Sequence, residues 1–172
     1  SVKVADIPYG KFRDKGVPID NISNFSSDKE HIIAVTSQTS LNLYRVIFVT
    51  KLSMMKIVDG GEFDVSKRMV ASTKLQEGDE IVDVSVLKEQ KDIILQTKDG
   101  YFLKFPLEEI PEKKKGAVGV RGMKLTGTDQ VENVYYTRPG MADPVIEFKE
   151  KQFDLSRIKT GRRDSKGTKP RV

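Results

Sequence analysis

The sequence predicts an all-β protein, organised as a propeller-like array of about three to four blades of four strands each. Apolar residues occur in short runs rich in β-branched and aromatic side chains, and Gly and Asp clusters separate these runs. No apolar stripe with a helical period continues over several turns. A segment of the chain also recurs at an offset of 47 residues. Short strands within a repeat of this length are typical of blades that pack against one another.

The expected strands in chain order are 31–37, 44–50, 80–87, 92–97 and 101–105. Turn residues follow or separate them at Asp59-Gly60-Gly61, Glu77-Gly78-Asp79 and Asp99-Gly100. Because Asp99-Gly100 lies between two apolar runs, it predicts a β-hairpin there.

The repeat fixes the expected domain organisation. Residues 46–63 align with 93–110 without a gap, and further on 73–84 align with 123–134. The second alignment has an offset of 50, so the second copy has three extra residues. The ends of the chain resemble partial copies of the same unit. The expected parts are the rear of a first blade (1–39), complete blades (45–90 and 92–140) and a partial final blade (141–158). Either the two partial blades pair with each other, or further blades lie in a longer protein of which this chain is a piece.

Charge is concentrated near the C-terminus. The 172 residues carry 30 basic and 25 acidic side chains, a formal net charge of +5. Between 154 and 172 there are seven basic and two acidic residues, while the rest of the chain is balanced. A polyanionic partner is therefore plausible. Segment 159–172 is predicted to be a basic, flexible tail because it has few apolar residues.

The composition argues against several functional classes. There is no cysteine and His31 is the single histidine, so thiolate metal sites and Cys or Ser-His catalysis lack their residues. Gly116, Gly119 and Gly122 do not have the spacing of a dinucleotide or P-loop fingerprint, so no cofactor is expected. These glycines instead predict close strand passage or positive φ. No apolar run reaches the roughly 18 residues of a membrane helix, and we expect a cytoplasmic protein.

The repeated unit has a fixed order of features. An apolar strand leads to a Thr-Lys or Lys-Asp-Gly turn, a strand carrying Lys, then Glu-Phe or Glu-Ile-Pro, a Gly-bearing loop, an acidic turn and an Ile/Val-rich strand. This order resembles the repeat of the C-terminal β-pinwheel domain found in the A subunits of bacterial DNA gyrase and topoisomerase IV. The resemblance is clearest in 53–84 and 99–125 and covers most of the chain.

The resemblance implies a β-pinwheel whose outer rim binds and bends double-stranded DNA through its phosphates. The parent protein would be an ATP-hydrolysing type IIA topoisomerase, associated with the nucleoid. Its partners would be the ATPase B subunit of the enzyme, together with the N-terminal cleavage core of the same polypeptide. This chain is expected to be non-catalytic, since the active-site tyrosine of the family lies in an N-terminal region. Its own tyrosines are interpreted as strand aromatics: Tyr9, Tyr44, Tyr101, Tyr135 and Tyr136.

Basic residues in the loops and tail are the candidate DNA contacts, because Lys and Arg hold phosphates without reading bases. The candidates are Lys67, Arg68, Lys113, Lys114, Lys115, Arg121, Arg162 and Arg163. Gyrase A subunits carry a Gln-Arg-Arg-Gly-Gly-Lys-Gly box in such a loop, and neither 64–72 nor 111–119 matches it. This departure favours a topoisomerase IV-like role. The alternative is a protein-interaction propeller without appreciable DNA binding.

Overall fold

The structure is a computed structural model that describes residues 1–171, and Val172, the last residue of the expected tail, lies outside them. The strands are β1 (Arg45–Thr50), β2 (Met54–Asp59), β3 (Ile81–Leu87), β4 (Asp92–Thr97), β5 (Phe102–Pro106), β6 (Val120–Arg121), β7 (Val131–Tyr136), β8 (Val145–Phe148) and β9 (Lys151–Asp154). One short helix, α1 (Gln38–Leu43), precedes β1, and single 3-10 turns occupy Val4–Asp6, Ile19–Asn21, Gly60–Phe63, Leu107–Glu109 and Leu155–Arg157. Within 1–171, no helix has the length and apolar character needed to cross a bilayer. The expected all-β fold is confirmed.

Two antiparallel sheets form the body, with a hairpin beside them. The first sheet has the order β3-β1-β2-β6, the second sheet has the order β5-β4-β7, and β8 pairs with β9. The two central strands, β1 and β4, are buried along nearly all of their length. Their runs of Val, Ile, Phe and Leu suit a strand that is covered on both faces.

The core consists of layers between these elements. Ile47 and Val49 of the first sheet pack in one apolar cluster with Ile93 and Leu95 of the second. The other face of the second sheet packs on the β8–β9 hairpin, where the rings of Phe102 and Phe148 meet edge to face, 5.1 Å between centroids. The second sheet therefore buries its two faces against the elements on either side, as expected for a repeat array, while the other face of the first sheet packs on Leu41 of α1 and on Phe63.

Each sheet is paired at its outer edge with a segment of the following unit. In the first sheet, β6 pairs antiparallel with β2, with Val120 opposite Met55. In the second sheet, Thr168 pairs antiparallel with Phe102 of β5. Neighbouring units are thus joined by main-chain hydrogen bonds as well as by apolar packing.

The C-terminal segment differs from the flexible tail that the sequence predicts. Thr160 and Thr168 form bridges to Lys104 and Phe102, and the amide of Gly161 donates to the carbonyl of Lys104 at 2.8 Å. Composition gave no sign of these contacts because they are made by the backbone, which needs no apolar side chain. Thr160, Gly161 and Thr168 therefore contact the β5 edge of the second sheet through their backbone.

Residues 31–37 also differ from expectation, since they form no strand. Ile32 and Ile33 remain about half exposed, at 49% and 48%. A strand needs a neighbour to accept its hydrogen bonds, and within 1–171 no strand lies beside this segment. The expected blade boundaries stay predictions.

Candidate nucleic-acid interface

Three basic loops follow three of the 3-10 turns. The first basic loop is 64–72, the second is 111–119 and the third is 159–167. The second loop lies on β2 and the third on β5 in the same way, and we call these two the attached loops. The amide of Lys113 donates to the carbonyl of Ile57, and the amide of Gly161 donates to the carbonyl of Lys104, both at 2.8 Å. Sequence reasoning missed the third loop as a member of the set, although an offset of 48 places Gly167 on Gly119.

The glycine at the end of each attached loop is required by a close approach. Gly119 has φ +103°, and a Cβ there would lie 2.4 Å from the carbonyl oxygen of Met55. Gly167 has φ +78°, and a Cβ there would lie 2.6 Å from the carbonyl oxygen of Phe102. The predicted role for Gly119 in close strand passage thus agrees with the structure, because only glycine fits without displacing the backbone.

One basic residue in each attached loop binds the glutamate of the 3-10 turn that lies one repeat unit earlier in the chain. The amide of Lys115 donates to Glu62 Oε2 at 3.0 Å, and its Nζ donates to the Glu62 carbonyl at 2.8 Å. Arg163 repeats both bonds on Glu109, with its amide at 2.8 Å from Oε2 and its Nε at 2.9 Å from the carbonyl. We call each of these pairs a clamp. Lys115 and Arg163 are half-buried, so these two predicted contacts hold the fold together.

The first basic loop has a weaker counterpart of the clamp. Arg68 Nη2 lies 3.9 Å from Oδ2 of Asp6, the last residue of the first 3-10 turn, and both side chains are substantially exposed. Such an exposed pair contributes little, about 0 to 1 kcal/mol. Arg68 is therefore only loosely engaged.

The residue before each clamp cation, and before Arg68 in the first loop, is basic and exposed. These residues are Lys67, Lys114 and Arg162. Lys114 Nζ forms a 3.1 Å ion pair with Glu62, yet its side chain stays 88% exposed. Among residues 1–171, no acidic side chain lies within ion-pair distance of Lys67 or Arg162. The repeat thus presents an accessible cation at the same position of each loop.

Two further predicted contacts lie next to these positions. Lys113 is exposed at the start of the second basic loop. Arg121, just beyond that loop, is paired with Asp164 of the third loop, Nε to Oδ1 at 2.5 Å. The hydrogen bond from Arg121 lowers the pKa of the Asp164 carboxyl, so this carboxylate is negative at neutral pH and partly neutralises Arg121.

Glu62 also remains ionised within the basic surface. The amide hydrogen bond from Lys115 is the main cause that lowers the pKa of the Glu62 carboxyl, with a further contribution from Lys114. The net charge nevertheless rises from one loop to the next, from +1 in 64–72 to +2 in 111–119 and +3 in 159–167. The third basic loop has the largest positive charge.

Several basic residues at or near the second and third loops have defined contacts but were not among the predicted contacts. Lys166 and Lys169 lie over the ring of Tyr101, with Nζ at 5.6 and 4.6 Å from its centroid. Lys56 is completely buried beneath the second basic loop. The sequence showed that this strand carries a Lys as part of the repeat, but it did not show that the side chain is buried beneath the loop.

The third basic loop also bears on the gyrase-type box. Residues 161–167 read Gly-Arg-Arg-Asp-Ser-Lys-Gly. Four of the seven box positions are matched, by Arg162, Arg163, Lys166 and Gly167. The mismatch that favoured a topoisomerase IV-like role therefore applies to the first and second loops but less to the third.

Comparison with known proteins identifies the repeat. A family profile described as "DNA gyrase C-terminal domain, beta-propeller" matches residues 44–88 and 91–138, more than half of the chain. The A subunit of DNA gyrase from Rickettsia bellii (strain RML369-C) is 31% identical over 137 residues, which cover 76% of this chain and 15% of that protein. The chain therefore spans only a small part of this curated relative.

Solved structures share the fold. The C-terminal domain of DNA topoisomerase IV superposes with a TM-score of 0.81 at 23% identity, covering 96% of this chain and 53% of that one. A DNA gyrase A C-terminal domain gives a TM-score of 0.71 at 19% identity, covering 91% of this chain and 53% of that one.

These findings define a β-pinwheel in which the second and third basic loops lie along the outer edges of the two sheets. The chain belongs to the DNA gyrase C-terminal domain family and is a C-terminal domain of a type IIA topoisomerase A subunit.

Proposed function

We propose that this chain is a non-catalytic module that binds and bends double-stranded DNA through phosphate contacts. Its parent is a bacterial type IIA topoisomerase that changes DNA topology at the expense of ATP. In that enzyme the module presents DNA to the cleavage core of the same polypeptide, while an ATPase B subunit completes the assembly. The module acts in the cytoplasm, on the nucleoid.

One observation carries the proposal: each basic loop presents an exposed cation at the same position of the repeat, and in the second and third loops this cation precedes a residue that anchors the loop. Lys67, Lys114 and Arg162 occupy this position at offsets of 47 and 48 residues. Regularly placed exposed cations can bind the phosphate backbone of DNA, because such binding needs no base contacts and their spacing fixes a path along which DNA bends. The remaining predicted contacts flank these three residues.

The sequence favours a topoisomerase IV-like parent, because the first and second basic loops lack the box. The third loop keeps four box positions, so this reason does not extend to it. We therefore propose the broader class, an A subunit of either enzyme. Negative supercoiling of a relaxed plasmid by the whole enzyme would assign it to gyrase, and its absence would favour topoisomerase IV.

The test is a DNA-binding titration with a triple variant in which Lys67, Lys114 and Arg162 are changed to Gln. The ligand is a mixed-sequence duplex of about 40 base pairs, labelled at both ends for energy transfer, over a series of salt concentrations. The slope of log K against log salt is negative, and each lost phosphate contact makes it less steep by about 0.9. We therefore expect the triple variant to have a slope less steep by about 3. Energy transfer between the ends should also fall.

The matched control changes Lys88, Lys98 and Lys151 to Gln, which removes the same charge from exposed positions outside the basic loops. This control should keep the original slope. An equal loss in both variants would show that net charge alone attracts DNA. If the unsubstituted chain gives no binding at low salt, the DNA-binding proposal fails and the protein-interaction alternative is favoured.

A further inference from the structure

A lysine lies completely buried on β2, beneath the second basic loop. Lys56 has 0% of its surface exposed, and its Nζ donates to the carbonyls of Lys115 at 2.5 Å and Ala117 at 2.7 Å. The carbonyls of Lys114 and Ser72 lie at 3.3 and 3.4 Å. An ammonium group has three donors and no acceptor, so these carbonyls satisfy it fully.

No carboxylate lies within ion-pair distance of Lys56 among the described residues. Burial of an ammonium is unfavourable unless polar groups surround it, and here backbone carbonyl dipoles take that role. The ring of Phe48 adds a contact, with Nζ 5.4 Å from its centroid. Burial lowers the pKa of Lys56, and the negative charge of Glu62 opposes this change.

The loop supplies these carbonyls from a closed turn. The amide of Ala117 donates to the carbonyl of Lys114 at 3.0 Å, which closes a turn. Inside this turn the carbonyls of 114, 115 and 117 converge on a single nitrogen. The ammonium and the turn therefore stabilise each other.

The second sheet has no such residue under its loop. The equivalent of Lys56, at the offset of 47, is Leu103. The other buried lysine on that strand, Lys104, forms a 2.7 Å ion pair with Asp143. The lysine beneath the second basic loop is thus not a requirement of the repeat itself.

We infer that Lys56 is a positioning residue for DNA binding, which fixes the backbone of the second basic loop so that Lys113 and Lys114 face solvent in a set arrangement. This inference rests on the proposed function. A preformed loop does not lose conformational freedom when phosphate binds, which strengthens binding without a new contact. Lys56 itself does not touch DNA.

The first test is hydrogen exchange of the free protein with Lys56 changed to Met, which fills a similar volume without donors. We expect the amides of 114–119 to exchange about tenfold faster, because the carbonyls that order the turn lose their partner. The control, Lys104→Met, also removes a buried lysine and should leave these amides unchanged. If Lys56→Met fails to fold, Lys56→Leu reproduces the residue found in the second sheet.

The second test measures DNA affinity in two backgrounds. In the original chain, Lys56→Met should weaken binding about fivefold, as expected for two side chains that are no longer preorganised. In a chain with Lys113 and Lys114 changed to Gln, the same substitution should have almost no effect. A purely structural role would weaken binding equally in both backgrounds, and that result would overturn the inference.

The two tests separate this inference from the proposed function. If the original chain binds no DNA, the proposed function fails and the role of Lys56 in DNA binding fails with it. If the original chain binds DNA but Lys56→Met leaves both exchange and affinity unchanged, only the positioning role is contradicted.

Discussion

The first and second sheets attach their outer edges with the same backbone geometry but with different side-chain chemistry. Both have a clamp at the preceding 3-10 turn and a glycine with positive φ at the close approach. The second basic loop, on the first sheet, is also held from below by Lys56. The third basic loop, on the second sheet, is held from the side by Arg163, whose Nη1 donates to the carbonyl of Arg121 at 2.7 Å. The repeat thus fixes where the loops lie, while individual residues determine how firmly they are held.

The strongest test of the shared geometry is at the glycines. Gly119→Ala should destabilise the protein by about 2 to 4 kcal/mol, because the new Cβ meets a backbone oxygen in a left-handed conformation. Gly167→Ala should cost less, about 1 to 2 kcal/mol, since the terminal segment can detach from β5 while the rest stays folded. Thermal or denaturant unfolding measures both losses.

Gly116→Ala is the control for this pair, because nothing lies within 4 Å of a Cβ at Gly116. It should leave stability unchanged or slightly higher. Equal losses at Gly119 and Gly167 would mean that the third basic loop is as integral to folding as the second.

The features that the two sheets share are largely those that the sequence could predict. The sequence predicted β1, β3, β4 and β5 because their apolar runs alternate with turn residues. Strands β2, β6 and β7 were not among the expected strands, although the offset of 47 places β2 on β5. The attachment of 159–171 was not predictable, since it depends on main-chain bonds to β5. For the same reason, sequence alone could not separate Lys115 from Lys114: their neighbour Glu62 comes from the preceding unit, and only the fold shows which lysine it holds. Contact with DNA stays a prediction for all eight candidates.

The two sheets are also joined by a partly buried hydrogen bond. Tyr136 of β7 donates to Asp83 of β3 at 2.5 Å, and burial is the main cause that raises the Tyr136 pKa well above its ordinary value. Below pH about 10 this tyrosine is neutral in both the folded and the unfolded chain. Above that pH the unfolded chain loses the proton first, so it binds fewer protons than the folded chain and stability falls as pH rises.

Tyr136→Phe should therefore cost about 1 kcal/mol at neutral pH, because Asp83 loses a hydrogen bond, and should reduce the fall in stability above pH 10. Tyr135, whose pKa is also raised by burial, should keep part of that slope. Denaturant unfolding from pH 7 to 11 measures both effects, with Tyr44→Phe as an exposed control. An unchanged alkaline slope in Tyr136→Phe would show that this link does not control the pH dependence.

The smallest expected effect distinguishes the two attached loops as DNA contacts. Lys114 and Arg162 hold equivalent positions, but Lys114 already forms an ion pair with Glu62. Phosphate must compete with that carboxylate at Lys114, whereas within 1–171 no such competitor faces Arg162. Arg162→Gln should therefore weaken DNA binding about twofold more than Lys114→Gln, measured by titration at one fixed low salt concentration.

Adding Glu62→Gln should strengthen binding by the chain that keeps Lys114 and have little effect on the Lys114→Gln variant. If Arg162 and Lys114 contribute equally and Glu62→Gln changes neither, the carboxylate does not modulate the basic surface, and position in the repeat alone sets the strength of each contact.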